Sequence, residues 1–198
     1  MTDQLREQRM ALISVLAEQS PKGAIGRTGV MKLLYFLQVL RDVPLDYRFT
    51  LYSYGPFDSD VLSDLADSEA LGVVTTTIKQ FSGGYGYEIT PGPNANWLQS
   101  RAIAFLGQHE KDIEWVTNKF GDLNSGQLEL VSTIVYVDQE AAENNQRPSL
   151  DDITEIVHEI KPHFSMDKIM EFAIWLGDSR LIRSAANSRR RAGGGGIC

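Results

Sequence analysis

Five carboxylates fall within the stretch from Asp58 to Glu69, at Asp58, Asp60, Asp64, Asp67 and Glu69, with no Lys or Arg among them. Such a run forgoes the intrahelical ion pairs that surface helices tend to use. An exposed stripe of Asp60, Asp64 and Asp67 would repel phosphate and steer a positively charged protein toward itself. Immediately upstream, Tyr52, Tyr54, Pro56 and Phe57 surround Gly55. Tyrosines there offer large contact area with a hydrogen-bonding tip. The expected partner-binding set is therefore Asp60, Asp64, Asp67, Tyr52, Tyr54, Pro56 and Phe57. Two blander readings stand beside it. The acids can be a solvated face with capping residues, and Tyr35, Tyr52 and Tyr54 can pack the long connection onto the second helix.

Other chemistry finds few candidates. A DNA-reading face would have to use Lys22, Arg27 and Lys32 around the start of the second helix, with Lys79 from a later hairpin. Lys32, a basic residue on an apolar helix, reads either as snorkelling at the helix edge or as a contact to a partner or to the Tyr54-Gly55-Pro56 turn. His109, His158 and His163 are scattered, and only one Glu-x-x-His occurs, at Glu155 and His158, where a two-metal bundle needs a pair. No metal or other cofactor is expected. Gly83, Gly84 and Gly86 lack the strand-to-helix setting of a phosphate loop and read as a turn. There is no Gly-x-Ser-x-Gly, and Cys198 at the chain end has no base beside it, so an enzyme is not expected, although dispersed site residues would escape this reading.

The elements that must carry these residues follow from periodicity. Leu5, Leu12, Ile13 and Leu16 predict an amphipathic helix from about Asp3 to Ala17. Thr28 offers an N-cap for a second helix, whose Val30, Leu33, Leu34, Leu37 and Leu40 make a broad apolar face suited to the centre of the fold. Val43-Pro44 stops it. The stretch from Tyr47 to Tyr54 alternates well enough to be extended, and Gly55-Pro56 closes it. The acidic helix follows, with Val61, Leu62 and Leu65 on its inner side and Gly72 at its end. Residues 73–79 and 85–90 read as two strands around a Gly-rich turn. This order is that of a winged helix with an unusually long connection. Beyond Pro91-Gly92-Pro93 the chain turns helical, roughly over Asn94–Phe120, Gly126–Glu140, Leu150–Glu159 and Met166–Leu176, with Ser149 and Ser165 as N-caps. The fold class expected is α+β and mainly helical. Residues 1–92 would form a winged-helix-like domain with a two-stranded wing, 93–186 a helical cap or bundle, and 187–198 an Arg/Gly-rich tail.

Three stretches together resemble the YwgA-like proteins of bacteria and archaea, and more distantly the Panacea domain of many antitoxins: Lys32-Leu33-Leu34-Tyr35-Phe36-Leu37, Tyr52-Ser53-Tyr54-Gly55-Pro56-Phe57, and Leu128-Glu129-Leu130-Val131-Ser132-Thr133-Ile134. The segment His158 to Phe164 resembles the C-terminal part of the YwgA group. In this resemblance Lys32, Tyr35, Phe36 and Gly55 are family-motif positions. It implies a winged-helix-like core with added helices, no established enzymatic activity for the YwgA group, and toxin neutralisation or presentation to a protease for the Panacea group. Panacea proteins often carry a Trp shortly before the Gly-Pro turn, where this chain has Tyr52 and Tyr54.

Charge narrows the classes further. The net charge is −7, yet the last twenty residues hold Arg180, Arg183, Arg189, Arg190 and Arg191 with no acid, so removing those five positive charges leaves −12 on the rest. Nonspecific binding to nucleic acid or anionic membrane is disfavoured for such a body. A lone cysteine and the absence of a membrane-length apolar run point to a cytoplasmic protein. The first expectation is thus a non-enzymatic interaction module, antitoxin-like or adaptor-like, whose acidic helix engages a basic protein such as a toxin or nuclease. The alternative is a winged-helix DNA-binding regulator, and exposed aromatic side chains near the long connection would also suit a homodimer.

Overall fold

Leu5, Leu12, Ile13 and Leu16 do lie along one helix, α1 (Asp3–Glu18), but burial runs nearly all round it from Arg9 to Ala17. The computed structural model describes residues 3–81 and 84–184. Helix α2 (Arg27–Arg41) is likewise buried from Gly29 to Leu37, so the two helices share the central place expected of α2 alone. Thr28 does not cap α2. The N-cap position is Gly26, which supplies no side-chain hydrogen bond.

Two short strands, β1 (Thr50–Tyr52) and β2 (Gly55–Phe57), form a two-stranded sheet, so only the end of the stretch expected to be extended is strand. Helix α3 (Ser59–Ala70) follows. Asp58 caps it by accepting from the Asp60 N–H at 2.8 Å, which explains one of the five acids. Strands β3 (Val74–Phe81) and β4 (Gly84–Pro91) pair antiparallel, with Thr76 opposite Ile89 and Ile78 opposite Tyr87. Ile89 points into the core and also bridges to Ile25 just before α2.

The single helix expected over Asn94–Phe120 is three: α4 (Ala95–Arg101), α5 (Ile103–Gln108) and α6 (Glu110–Phe120), separated at Ala102 and His109, whose φ/ψ of −98/13° and −108/12° leave the helical region. Then come α7 (Ser125–Glu143), α8 (Leu150–Ile160) and α9 (Met166–Asp178). The two serine N-caps read from the sequence are present. Ser149 and Asp152 make a reciprocal capping box, and Ser165 accepts from Lys168 N–H. The described residues are mainly helical, with two small antiparallel sheets. Among them no helix is long and apolar enough to cross a membrane.

The chain divides into two compact units, but not at Gly92. The first comprises residues 1–50 and 57–128. Helix α4 packs on α1, and Leu98 and Ala102 join Met10, Ala11 and Val73 in one apolar cluster, so the segment after Pro93 belongs to the first unit's core. The second comprises residues 51–56 and the described residues from 129 to 184, with α8 packed on α9. The Arg/Gly-rich tail expected over 187–198, Cys198 included, lies outside the described residues.

Candidate functional site

The acidic helix does not present the stripe read from the sequence. Val61, Asp64, Leu65 and Ser68 are its buried positions, spaced i, i+3, i+4 and i+7, so Asp64 stands on the apolar face and is 1% exposed. Arg9 faces it from α1. Arg9 is itself fully buried, with Nη1 at 3.6 Å from Asp64 Oδ2, Nε donating to the Leu45 carbonyl at 2.6 Å, and the guanidinium 3.9 Å above the Tyr47 ring. The Tyr47 hydroxyl donates to Asp64 at 2.8 Å. Arg6, at the edge of α1, lies 3.8 Å from Asp64 and pairs closely with half-buried Asp67. Burial pushes the Asp64 carboxyl above its ordinary value, opposed by the Tyr47 hydrogen bond and by Arg9 and Arg6. Burial and the adjoining carboxylate push the Tyr47 hydroxyl up as well.

The expected exposed row of Asp60, Asp64 and Asp67 is therefore corrected. Asp64 is a core ion, Asp67 is neutralised by Arg6, and Asp60 and Glu69 are the exposed acids of α3. The signal was available in the sequence. Arg9 falls at apolar-face spacing between Leu5 and Leu12, and Asp64 does so between Val61 and Leu65.

The tyrosines behave differently from one another. Tyr35 is a core residue, packed edge-on to Phe49 with centroids 5.1 Å apart, and Phe36 stacks on Phe120 at 4.1 Å. Neither belongs to a surface platform. Tyr52 and Tyr54, by contrast, are 66% and 73% exposed at the β1–β2 turn, while Gly55 and Pro56 are buried and Phe57 is partly so.

That turn is held from below within the second unit. The Lys161 ammonium, itself buried, donates to the carbonyl of Tyr52 at 3.2 Å and closely to that of Ser53. It lies 3.0 Å from Glu129 Oε1 on α7 as a charge contact, and the ring of exposed His163 approaches the same oxygen at 3.5 Å; neither has the alignment of a hydrogen bond. Gly55 has φ +84°, and a Cβ there would come within 3.0 Å of Ser132 Oγ and 3.1 Å of Thr133 Oγ1. Only glycine takes that backbone conformation at no cost and also clears the α7 hydroxyls. Tyr136 on α7, hydrogen-bonded to the Leu51 backbone, adds a further brace. Lys161, Glu129, Ser132 and Thr133 were not singled out as site residues. A lone Glu in the apolar run Leu128 to Val135 was the clue, because a charge there needs a buried partner.

The basic residues of the DNA reading are dispersed in character. Lys32 is 2% exposed, so it does not snorkel and cannot reach a ligand in solvent. Lys79 is drawn to Glu88 at 2.5 Å across the β3–β4 hairpin. Lys22 and Arg27 remain exposed near the start of α2, Arg27 with its Cζ 3.4 Å from the centroid of the Tyr87 ring. His158 faces the Phe164 carbonyl and His109 faces Asp112, and no cluster of three or more metal-ligating side chains occurs among the described residues. No family model matches the chain, and no curated protein matches it.

Proposed function

We propose that this chain is a cytoplasmic, non-enzymatic interaction module whose contact surface is the tip of the β1–β2 turn, with Tyr52 and Tyr54 as anchors. The observation that carries this reading is the pairing of two largely exposed aromatic side chains with a buried Lys161–Glu129 brace directly beneath them. Burying an ion pair costs desolvation, and the fold here spends it on a turn that contributes no apolar side chain to a core at Tyr52 or Tyr54. A rigid tyrosine pair loses little side-chain entropy on binding, which favours its use as a recognition element.

The partner fitting this reading is a basic protein, of the toxin or nuclease kind, drawn in by the net negative charge of the body rather than by an acidic helix. Asp60 would contribute to steering alone. The resemblance to YwgA-like and Panacea-like sequences is consistent with an antitoxin or adaptor role, and the order α1, α2, α3, β3, β4 supports a winged-helix-like reading of the N-terminal part, with β3–β4 as the wing. That same order favours a second reading, a DNA-binding regulator, but its cationic face now rests on Lys22 and Arg27 without Lys32 or Lys79.

The test is co-expression with the product of the neighbouring gene. Wild type should co-purify with it, Tyr52→Ala/Tyr54→Ala should lose it, and Asp60→Lys should mainly slow association. Retention of the partner by the double alanine variant would contradict the assignment, and promoter binding that weakens steeply with salt would favour the regulator.

A further inference from the structure

A cavity of about 770 Å³ opens in the first unit between the start of α2, the β3–β4 hairpin and the α6–α7 turn. Its volume lies within the range of small-ligand sites. Buried Leu33 and Phe120 form part of the apolar wall, and Tyr85 and Tyr87 project from β4 on the face that carries buried Ile89. The charge lining it is opposite in sign to the protein's own. Lys22 and Arg27 both face it, neither has a carboxylate partner among the described residues, and the acid on the wall, Glu88, is already engaged by Lys79.

The details select a kind of ligand. Arg27 lies over the Tyr87 ring, its Cζ 3.4 Å from the centroid, and a guanidinium held by its face in this way keeps its N–H groups for an incoming anion. Tyr85, two positions before Tyr87 on the same face of β4, is 77% exposed and lines the cavity, so its ring can take a planar group. Thr28 and the side-chain amide N–H groups of Asn124 add polar groups to the lining, the Ser20 hydroxyl being already given to the Ala24 carbonyl and the Asn124 carbonyl to the Gln127 N–H, and the first turn of α2, capped by no side chain, adds backbone N–H donors. A concave site with apolar lining, an exposed tyrosine and two cations without carboxylate partners among the described residues, in a chain of net charge −7, has the make-up of a small-anion site.

We infer that this cavity binds a small anion bearing a planar ring, of the nucleoside monophosphate class, with the anionic group held by Arg27 and Lys22 and the ring laid against Tyr85. The inference is independent of the tyrosine tip, which lies in the other unit.

The experiment is titration of the full chain with AMP, GMP, CMP and UMP in turn, followed by backbone amide NMR, with adenosine and inorganic phosphate as separate probes. A saturable response to at least one nucleotide is expected in the amides of 24–29, 85–88 and 123–125. Arg27→Ala and Lys22→Ala should each weaken binding about tenfold, as loss of one charge-assisted contact does. Tyr85→Ala should weaken the nucleotide severalfold while leaving phosphate unaffected. All three positions are exposed, so the variants should give wild-type spectra away from the cavity. The inference is overturned if no nucleotide gives a saturable response at millimolar concentration, if the response survives Arg27→Ala/Lys22→Ala, or if phosphate alone binds as tightly as the nucleotides.

Discussion

Two buried cations grip the connection between α2 and α3, one near each end, and they leave opposite surfaces behind. Arg9 holds the Leu45 carbonyl and lies on Tyr47, whose hydroxyl closes the circuit to Asp64, so every polar group in the cluster is turned inward. Lys161 holds the carbonyls of Tyr52 and Ser53 against Glu129, yet the side chains of Tyr52 and Tyr54 are turned out to solvent. The chemistry of the two guests suits the two tasks. A planar guanidinium can stack and hydrogen-bond at once and so completes a closed core, whereas an ammonium is a point donor that can gather two adjacent carbonyls at a tight turn. The comparison teaches that one physical device, a buried ion pair used to pin backbone, can serve stability at one site and presentation at another.

The largest effect that would separate the two should come from Arg9→Met. It leaves Asp64 buried beside nothing but Tyr47 and the edge of Arg6, and should cost about 3–5 kcal/mol in urea unfolding. Adding Asp64→Leu should recover a substantial part of that loss, because the remaining charge is then removed too. Lys161→Met should cost about 3 kcal/mol by the same logic, since it leaves the Glu129 carboxylate buried without its ammonium. If the tip is an interaction surface, this variant should also weaken partner binding more than its stability loss explains. A purely structural Lys161 would not.

Gly55→Ala comes next, at about 1–2 kcal/mol from the left-handed backbone alone, with the Ser132 and Thr133 hydroxyls adding to it. A thermal melt of Gly55→Ala beside Gly55→Ala/Ser132→Ala would apportion strain and crowding.

Not all of this was readable in the chain. The helices of the second unit and both serine caps followed from apolar spacing and from Ser149-x-x-Asp152, because capping is local chemistry. The β3–β4 hairpin was legible for the same reason. The fate of Asp64 was not read correctly, since charge counting along α3 ignored that Val61, Asp64, Leu65 and Ser68 share a face, and the cation that satisfies Asp64 sits fifty-five positions earlier at Arg9. Pro91-Gly92-Pro93 marks a turn, whereas the packing of α4 on α1, which keeps α4 in the first compact unit, is long-range and has no local signature. The tip was half legible. Tyr52 and Tyr54 stood out by type, but Lys161 reaches them from more than a hundred residues away.

A smaller effect sharpens the Arg9 side by pH. Asp64 has a raised value in the fold, so its contribution to stability is fully present below the unfolded carboxylate range and fades as pH rises through its folded value. Urea melts at pH 7 and at pH 4.5 should therefore show wild type gaining on Asp64→Asn at the lower pH. The reverse order would mean that the Arg9 and Arg6 charges outweigh burial.

The smallest change in stability is expected for Tyr52→Ala/Tyr54→Ala, within about 0.5 kcal/mol for side chains so exposed, although the same pair should abolish partner capture. What most directly tests the account is whether the tip is rigid before any partner arrives. Amide order parameters for Ser53 and Tyr54 should be near 0.85 in wild type and fall markedly in Lys161→Met, as expected if the ammonium fixes the turn. Values below about 0.6 in wild type, or no change in Lys161→Met, would contradict it.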